Sequence, residues 1–164
     1  MRRASFADMN CSVAQGLEQI GEWWTMLILR DALLGVRRFE DFQSRLGIAR
    51  NILSARLETL VGHGIMERRP YSERHSRHEY VLTEKGRALW PVMTALRQWG
   101  DEWAYESEQH QPTVLVHDTC GHVCTSVPHC SHCDEQLTLR TIHVETGPGG
   151  DPDFIPARRA RPES

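Results

Sequence analysis

Arg50-Asn51-Ile52-Leu53-Ser54-Ala55-Arg56-Leu57-Glu58-Thr59-Leu60-Val61-Gly62 is the stretch that decides the fold of this chain. Leu53, Leu57, Leu60 and Val61 fall at i, i+4, i+7 and i+8, one face of a 3.6-residue helix. That face must be buried. Opposite it stand Asn51, Ala55, Glu58 and Thr59, with Arg50, Ser54 and Arg56 on the flanks. Small and polar residues at the N-terminal end suit a helix that enters a DNA groove end-first. Asn can pair bidentately with adenine, and Arg with guanine or a phosphate. Gly62 and Gly64 bracket the helix end, as a left-handed cap requires.

Upstream, Phe39, Phe42 and Leu46 give a short helix closed by a turn at Gly47. Downstream, Ile65 to Arg69 reads as a strand, Pro70 to Arg77 as a loop, and His78 to Leu82 as a second strand. The order is helix, turn, helix, basic hairpin. It predicts a winged helix-turn-helix, mainly α with a β-hairpin wing. Arg68, Arg69, Arg74 and Arg77 of the hairpin are placed to grip phosphate or enter a minor groove. A solvated hairpin on a packed helix pair would look the same in isolation. Its position behind an apolar-backed helix favours the wing.

Ser12 to Gly21 reads as a short helix with Ser12 as N-cap. Trp23 to Leu34 is apolar nearly all round and is expected to be the central core helix, with its tryptophans packed inside. Thr83 is expected to cap a long helix to about Glu106, kinked at Pro91. Leu89, Trp90, Met93, Leu96, Trp99 and Trp103 stripe that helix. The stripe exceeds what a small domain covers, so part of it is read as a dimer interface that sets two recognition helices one DNA turn apart. The alternative is that it packs wholly on its own core.

The 164 residues allow one domain of about 100 residues and an appendage. The expected boundaries are an arm over 1–10, a winged domain over 11–104, a linker over 105–112, a cysteine-rich module over 113–146 and a disordered tail over 147–164. No apolar run approaches the roughly 20 residues of a membrane span. Met1-Arg2-Arg3 is not followed by the apolar stretch of a signal peptide, so a cytoplasmic protein without membrane contact is expected. The net charge of −3 hides an asymmetry. Arg37 to Arg87 holds 11 basic and seven acidic residues, a net +4, whereas Asp101 onward holds four and 11, a net −7. Positive charge thus lies in the segment that phosphate would meet.

These residues together resemble the HxlR-type family of bacterial winged helix-turn-helix regulators. The resemblance runs from Cys11 to about Trp103. It is carried by Cys11-Ser12-Val13-Ala14, Ile20-Gly21-Glu22-Trp23-Trp24-Thr25-Met26-Leu27-Ile28-Leu29-Arg30-Asp31 and Arg38-Phe39-Glu40-Asp41-Phe42. Ile52-Leu53-Ser54-Ala55-Arg56-Leu57, Gly64-Ile65-Met66-Glu67-Arg68 and Tyr80-Val81-Leu82-Thr83-Glu84-Lys85-Gly86-Arg87 continue it in order. The resemblance implies a homodimer on an operator, usually repressing a nearby gene, with dimer contacts through the first helix and the helices after the wing. Family wings carry a proline-containing turn before the Arg, and Arg74-His75-Ser76-Arg77 has none. Some members sense oxidants or electrophiles through a cysteine at the start of the first helix, where Cys11 stands. Helix N-termini favour thiolate. An inert, half-buried Cys11 and a small-molecule pocket beside Trp23 and Trp24 are the alternatives.

After the linker, Thr113 to His117 and Leu137 to Val144 suggest short strands. Between them, four cysteines and four histidines lie within the 17 residues from His117 to Cys133. Paired soft ligands around a short loop suit tetrahedral zinc. The expected ligands are Cys120, Cys124, Cys130 and Cys133, with His122 as substitute for Cys124. Only Cys120 is followed by a glycine, whereas Cys133 is followed by Asp134. Relatives with such a tail keep a Cys-Gly and a later Cys-x-x-Cys, which implies a small zinc-ribbon-like β appendage. A degenerate ribbon with reduced thiols, or a redox site, is the alternative.

No nucleophile–base pair stands out, so the chain is expected not to be an enzyme. The sequence reading is a DNA-binding regulator on a palindromic operator that needs no cofactor for binding, with structural zinc in the tail. Arg50, Asn51, Ser54 and Arg56 would contact DNA from the helix, and Arg74 and Arg77 from the wing. The competing reading is an interaction or redox/metal-sensing module with the tail as its active part.

Overall fold

The computed structural model describes residues 5–72, 77–105 and 111–150. The helices are α1 (Ser12–Ile20), α2 (Trp23–Leu33), α3 (Phe39–Leu46), α4 (Arg50–Gly62), α5 (Glu84–Arg87) and α6 (Trp90–Trp103). β1 (Met66–Ser72) and β2 (Arg77–Leu82) form an antiparallel hairpin between α4 and α5. β3 (Leu115–Val116) and β4 (Val123–Cys124) form a second, much shorter one.

The predicted apolar face of α4 is the centre of the core. Leu53, Leu57 and Leu60 are each fully buried, against Ile28 and Leu29 of α2, Phe42 of α3, and Ile65, Met66, Tyr80 and Leu82 of the hairpin. Burying a leucine is worth about 1.5–3 kcal/mol, so this face alone fixes how α4 sits. Gly47 ends α3 in the left-handed conformation at φ 62°, which turns the chain toward α4 without a Cβ penalty. Asp31 is completely buried and accepts from Arg30 Nε at 3.0 Å and Arg45 Nε at 3.1 Å, tying α2 to α3.

The hairpin strands are longer than the sequence suggested. Pro70 pairs with His78 and Ser72 with Arg77, with an irregularity between Pro70 and Ser72. β1 is the edge strand, because β2 bridges on its other side to Arg38 through Glu79. An edge strand is where a proline such as Pro70 is tolerated, because only one side of it is called on for ladder bonds.

Three expectations are corrected. Ser12 does not cap α1: Cys11 is the N-cap residue, and its side chain makes no capping bond. Trp23 is 87% exposed, although Trp24 packs on the core. The long helix from Thr83 is two helices. Thr83 caps only α5, its hydroxyl accepting from Gly86 N at 3.2 Å, and Pro91 sits in the first turn of α6 rather than at a kink.

Residues 111–150 hold short ladders and no buried residue. They meet α6 at Gln98, which exchanges two hydrogen bonds with the Ser126 backbone at 2.9 and 2.7 Å, and at Arg97, whose Nη1 donates to Thr113 O at 3.2 Å. Arg74 and residues 151–164 of the expected disordered tail lie outside the described residues.

Candidate nucleic-acid interface

Burial of the leucine face leaves the opposite side of α4 to solvent. Arg50 and Asn51 are exposed on its first turn, and Ser54 follows half-buried. Ala49, the N-cap residue, supplies no side-chain bond. The first backbone N–H groups of α4 therefore have no side-chain cap, the arrangement that receives a phosphate. The Arg50 guanidinium lies over the Phe39 ring, 5.0 Å from its centre, which holds it at the rim of the α3–α4 turn. Ser54 Oγ is 3.5 Å from Glu58 Oε1, one turn along.

Arg56 is placed differently from its sequence reading. Its Nη2 donates to Glu22 Oε1 at 2.9 Å, and both side chains are less than one third exposed. Glu22 is in turn the N-cap of α2, accepting from Trp24 N at 3.0 Å. Arg56 thus pins the middle of α4 to the start of α2. Sequence reasoning missed Glu22 because its partner lies 34 residues away. The acid before an apolar helix is the only local sign of it.

On the wing, Arg68 lies over the Tyr80 ring at 5.8 Å and Arg69 pairs with Glu67. Both arginines are exposed, so such contacts are weak and open to exchange for phosphate. Arg77 is described through its backbone, which pairs with Ser72. A missed element is the root of α5. Thr83 Oγ1 donates toward Gly64 O at 2.7 Å, Thr83 N donates to Ile65 O at 3.1 Å, and Lys85 Nζ donates to His63 O at 2.8 Å. A Cβ at Gly86 would meet Ile65 O at 2.2 Å. This close approach explains the glycine.

α1 and α6 carry an unburied apolar surface. Val13, Leu17, Leu96, Trp99 and Trp103 are all exposed, as is Trp23 at the start of α2. Cys11 is half-buried with a free thiol. A cavity of about 400 Å³ opens between the end of α2, β2 and Trp90, lined by Ala32, Val36, Tyr80 and Leu82.

In the tail, Cys120, Cys124, Cys130 and Cys133 are free thiols. Backbone N–H groups of Cys133 and His132, with the Cys133 thiol, hold the Cys130 thiol below its ordinary range. Among the described residues, no three His, Cys, Asp or Glu side chains converge on one point where an ion could bind. Also among them, no helix is long and apolar enough to cross a membrane.

A buried three-helix core, an outward recognition helix with a polar first turn, and a hairpin packed behind it define a winged helix-turn-helix protein. The HxlR-like helix-turn-helix family profile matches residues 19–108. The chain is 48% identical over 138 residues to the HTH-type transcriptional regulator Rv3095 of Mycobacterium tuberculosis, covering 84% of this chain and 87% of that protein. The crystal structure of PA1607, a candidate transcription factor, aligns with a TM-score of 0.77 at 39% identity, over 87% of this chain and 99% of that one. The helical body cannot supply such a span alone, so the match takes in the cysteine-rich tail. The redox regulator HypR in its reduced form aligns with a TM-score of 0.55 at 29% identity, over 61% of this chain and 100% of that one. The chain belongs to the HxlR-like helix-turn-helix family and is a transcriptional regulator of the helix-turn-helix type.

Proposed function

We propose that the protein is a homodimeric repressor that binds a palindromic DNA operator. The observation that carries this reading is the division of α4. Its leucines are fully buried while Arg50 and Asn51 stand exposed on a first turn without a side-chain cap. Asn51 and Ser54 read base edges, and Arg50 with the backbone N–H groups holds phosphate. Wing residues Arg68, Arg69, Arg74 and Arg77 add phosphate or minor-groove contacts. Arg56 serves these contacts from behind, by fixing α4 to Glu22. DNA binding requires no cofactor.

The exposed apolar residues of α1 and α6 support the homodimer, since Leu96, Trp99 and Trp103 recur on one face of α6 and stay in solvent in a single chain. A twofold dimer presents two recognition helices about 34–36 Å apart, one DNA turn. Fluorescence anisotropy on DNA flanking the gene, against an unrelated fragment at two salt concentrations, tests the whole reading. Tight, fragment-preferring binding that weakens steeply with salt is expected. Equal, salt-insensitive binding to both fragments would refute it.

A sensing role for Cys11 has one observation in its favour, a free half-buried thiol at the N-cap of α1, beside the proposed dimer surface. HypR is a redox regulator, and the chain aligns with it over 61% of its length. An electrophile on Cys11 would alter the dimer and so the separation of the recognition helices.

A further inference from the structure

The cavity between the end of α2, β2 and Trp90 has a lining of two kinds. One part is apolar: Tyr80 and Leu82 belong to the core, and Val36 packs against it. The other part is Arg37, Arg87 and Trp90, all three exposed. Among the described residues, no acidic side chain lines it. Its volume of about 400 Å³ lies within the 300–1,000 Å³ usual for small-molecule sites.

The two arginines stand apart from most others in the chain. Arg30, Arg45, Arg56, Arg69 and Arg97 each pair with a carboxylate. Arg37 accepts a bond from Tyr80 N through its backbone carbonyl at 2.8 Å, which fixes its main chain against β2. Its side chain has no ion pair and no hydrogen bond among the described residues. Arg87 Nη1 donates to Leu82 O at 2.6 Å, which holds the guanidinium beside β2. A guanidinium has five N–H donors, so others remain for a ligand. The site is thus built before any ligand arrives, which lowers the ordering cost of binding.

We infer that this cavity binds a small organic anion with an apolar body, its acidic group held by Arg37 and Arg87 and its body against Val36, Leu82 and Trp90. Charge complementarity selects the anion, since two cations line the cavity and no acid balances them. The apolar lining selects the body, which a bare phosphate lacks. Trp90, 47% exposed, offers that body an indole face. The cavity is shared by β2, the second wing strand, and Trp90, the first residue of α6. Its occupant would therefore act as an effector on the wing and α6 together. That consequence rests on the DNA-binding reading, and the binding itself does not.

The test is isothermal titration calorimetry of the full chain with 2-naphthoate at low salt, without DNA, so that its failure is distinct from failure of the DNA-binding reading. Saturable binding of one naphthoate per chain is expected, at least tenfold tighter than 2-naphthamide, which keeps the rings and loses the charge. Arg37→Ala should weaken it at least tenfold with Tm unchanged, because that side chain holds nothing else together. Trp90→Ala should weaken it about threefold or more. No saturable binding to the wild type would overturn the inference, as would equal affinity for the acid and the amide. Inorganic phosphate binding as tightly as naphthoate would leave no role for the apolar lining and overturn it too. So would an Arg37→Ala chain that binds naphthoate normally and instead shows a DNA salt slope lower by about 0.9, or a changed sedimentation profile, since Arg37 would then serve a DNA phosphate or a second copy of the chain.

Discussion

Replacing Arg56 with alanine separates two roles that a recognition-helix arginine can have. If Arg56 met phosphate, its loss would remove one contact per chain and flatten the salt dependence of binding by about 0.9 per contact. The structure instead joins it to Glu22, with side chains 29% and 27% exposed. Exposed pairs contribute at most about 1 kcal/mol, whereas breaking a buried pair costs about 3–5. This pair lies between those limits, and Glu22 keeps its bond to Trp24 N after the change. The expected loss is therefore about 1–2 kcal/mol, placed on stability. A body of this size loses about 4–8 °C in Tm per kcal/mol, so Tm falls by roughly 5–15 °C. Glu22→Gln should give a similar fall, and the double variant should fall by less than the two singles combined. The assay is thermal unfolding beside anisotropy titrations over a salt series, at a temperature where both proteins are folded. An unchanged Tm with a salt slope lower by about 0.9 per chain would refute the anchoring argument and restore Arg56 to the DNA surface.

Arg50→Ala is expected to do the reverse. Tm holds, and the salt slope falls by about 0.9 per chain, equal to roughly 3.5-fold in affinity for each contact between 50 and 200 mM salt. Asn51→Ala should cost about 1–3 kcal/mol on the operator and almost nothing on unrelated DNA, read from the ratio of the two affinities. Gly86→Ala should destabilise by about 1–3 kcal/mol, because the new methyl meets the Ile65 carbonyl; a Tm equal to wild type would show that α5 can shift without cost. Trp99→Glu should shift the sedimentation profile from dimer to monomer and weaken operator binding with it, while far-ultraviolet circular dichroism stays the same. Cys11→Ser should leave basal DNA binding intact and abolish any release by diamide or a quinone; release that persists in the variant would remove Cys11 from sensing.

The bounds of α4 were legible because its signals are local. Leucines recur at helical spacing, and Gly64 closes the helix at φ 66°. The same holds for α3, ended by Gly47. Trp23 was misplaced because α2 is apolar nearly all round, so the pattern names no outer face. The break between α5 and α6 was hidden by reading Pro91 as an interruption, although proline also favours a first helical turn. The Arg56–Glu22 pair was hidden for another reason: the partners are remote in sequence, and no periodicity encodes a long-range ion pair. In the tail, the left-handed turn at Asp134 belongs to a residue type that seldom announces it.

The bonds from Thr83 to Gly64 and Ile65 give the molecule a lever. They join the root of the post-wing helices to the point where α4 ends, so movement at one is delivered to the other. α4 has 13 residues, and at 1.5 Å per residue its tip lies about 20 Å from that fulcrum. A tilt of about 10° there swings Asn51 by roughly 3.4 Å, the rise of one base pair along a strand. The same tilt would carry Leu53 by roughly 3 Å, so a signal that turns α6 can reach the first turn of α4 only by repacking the leucine core.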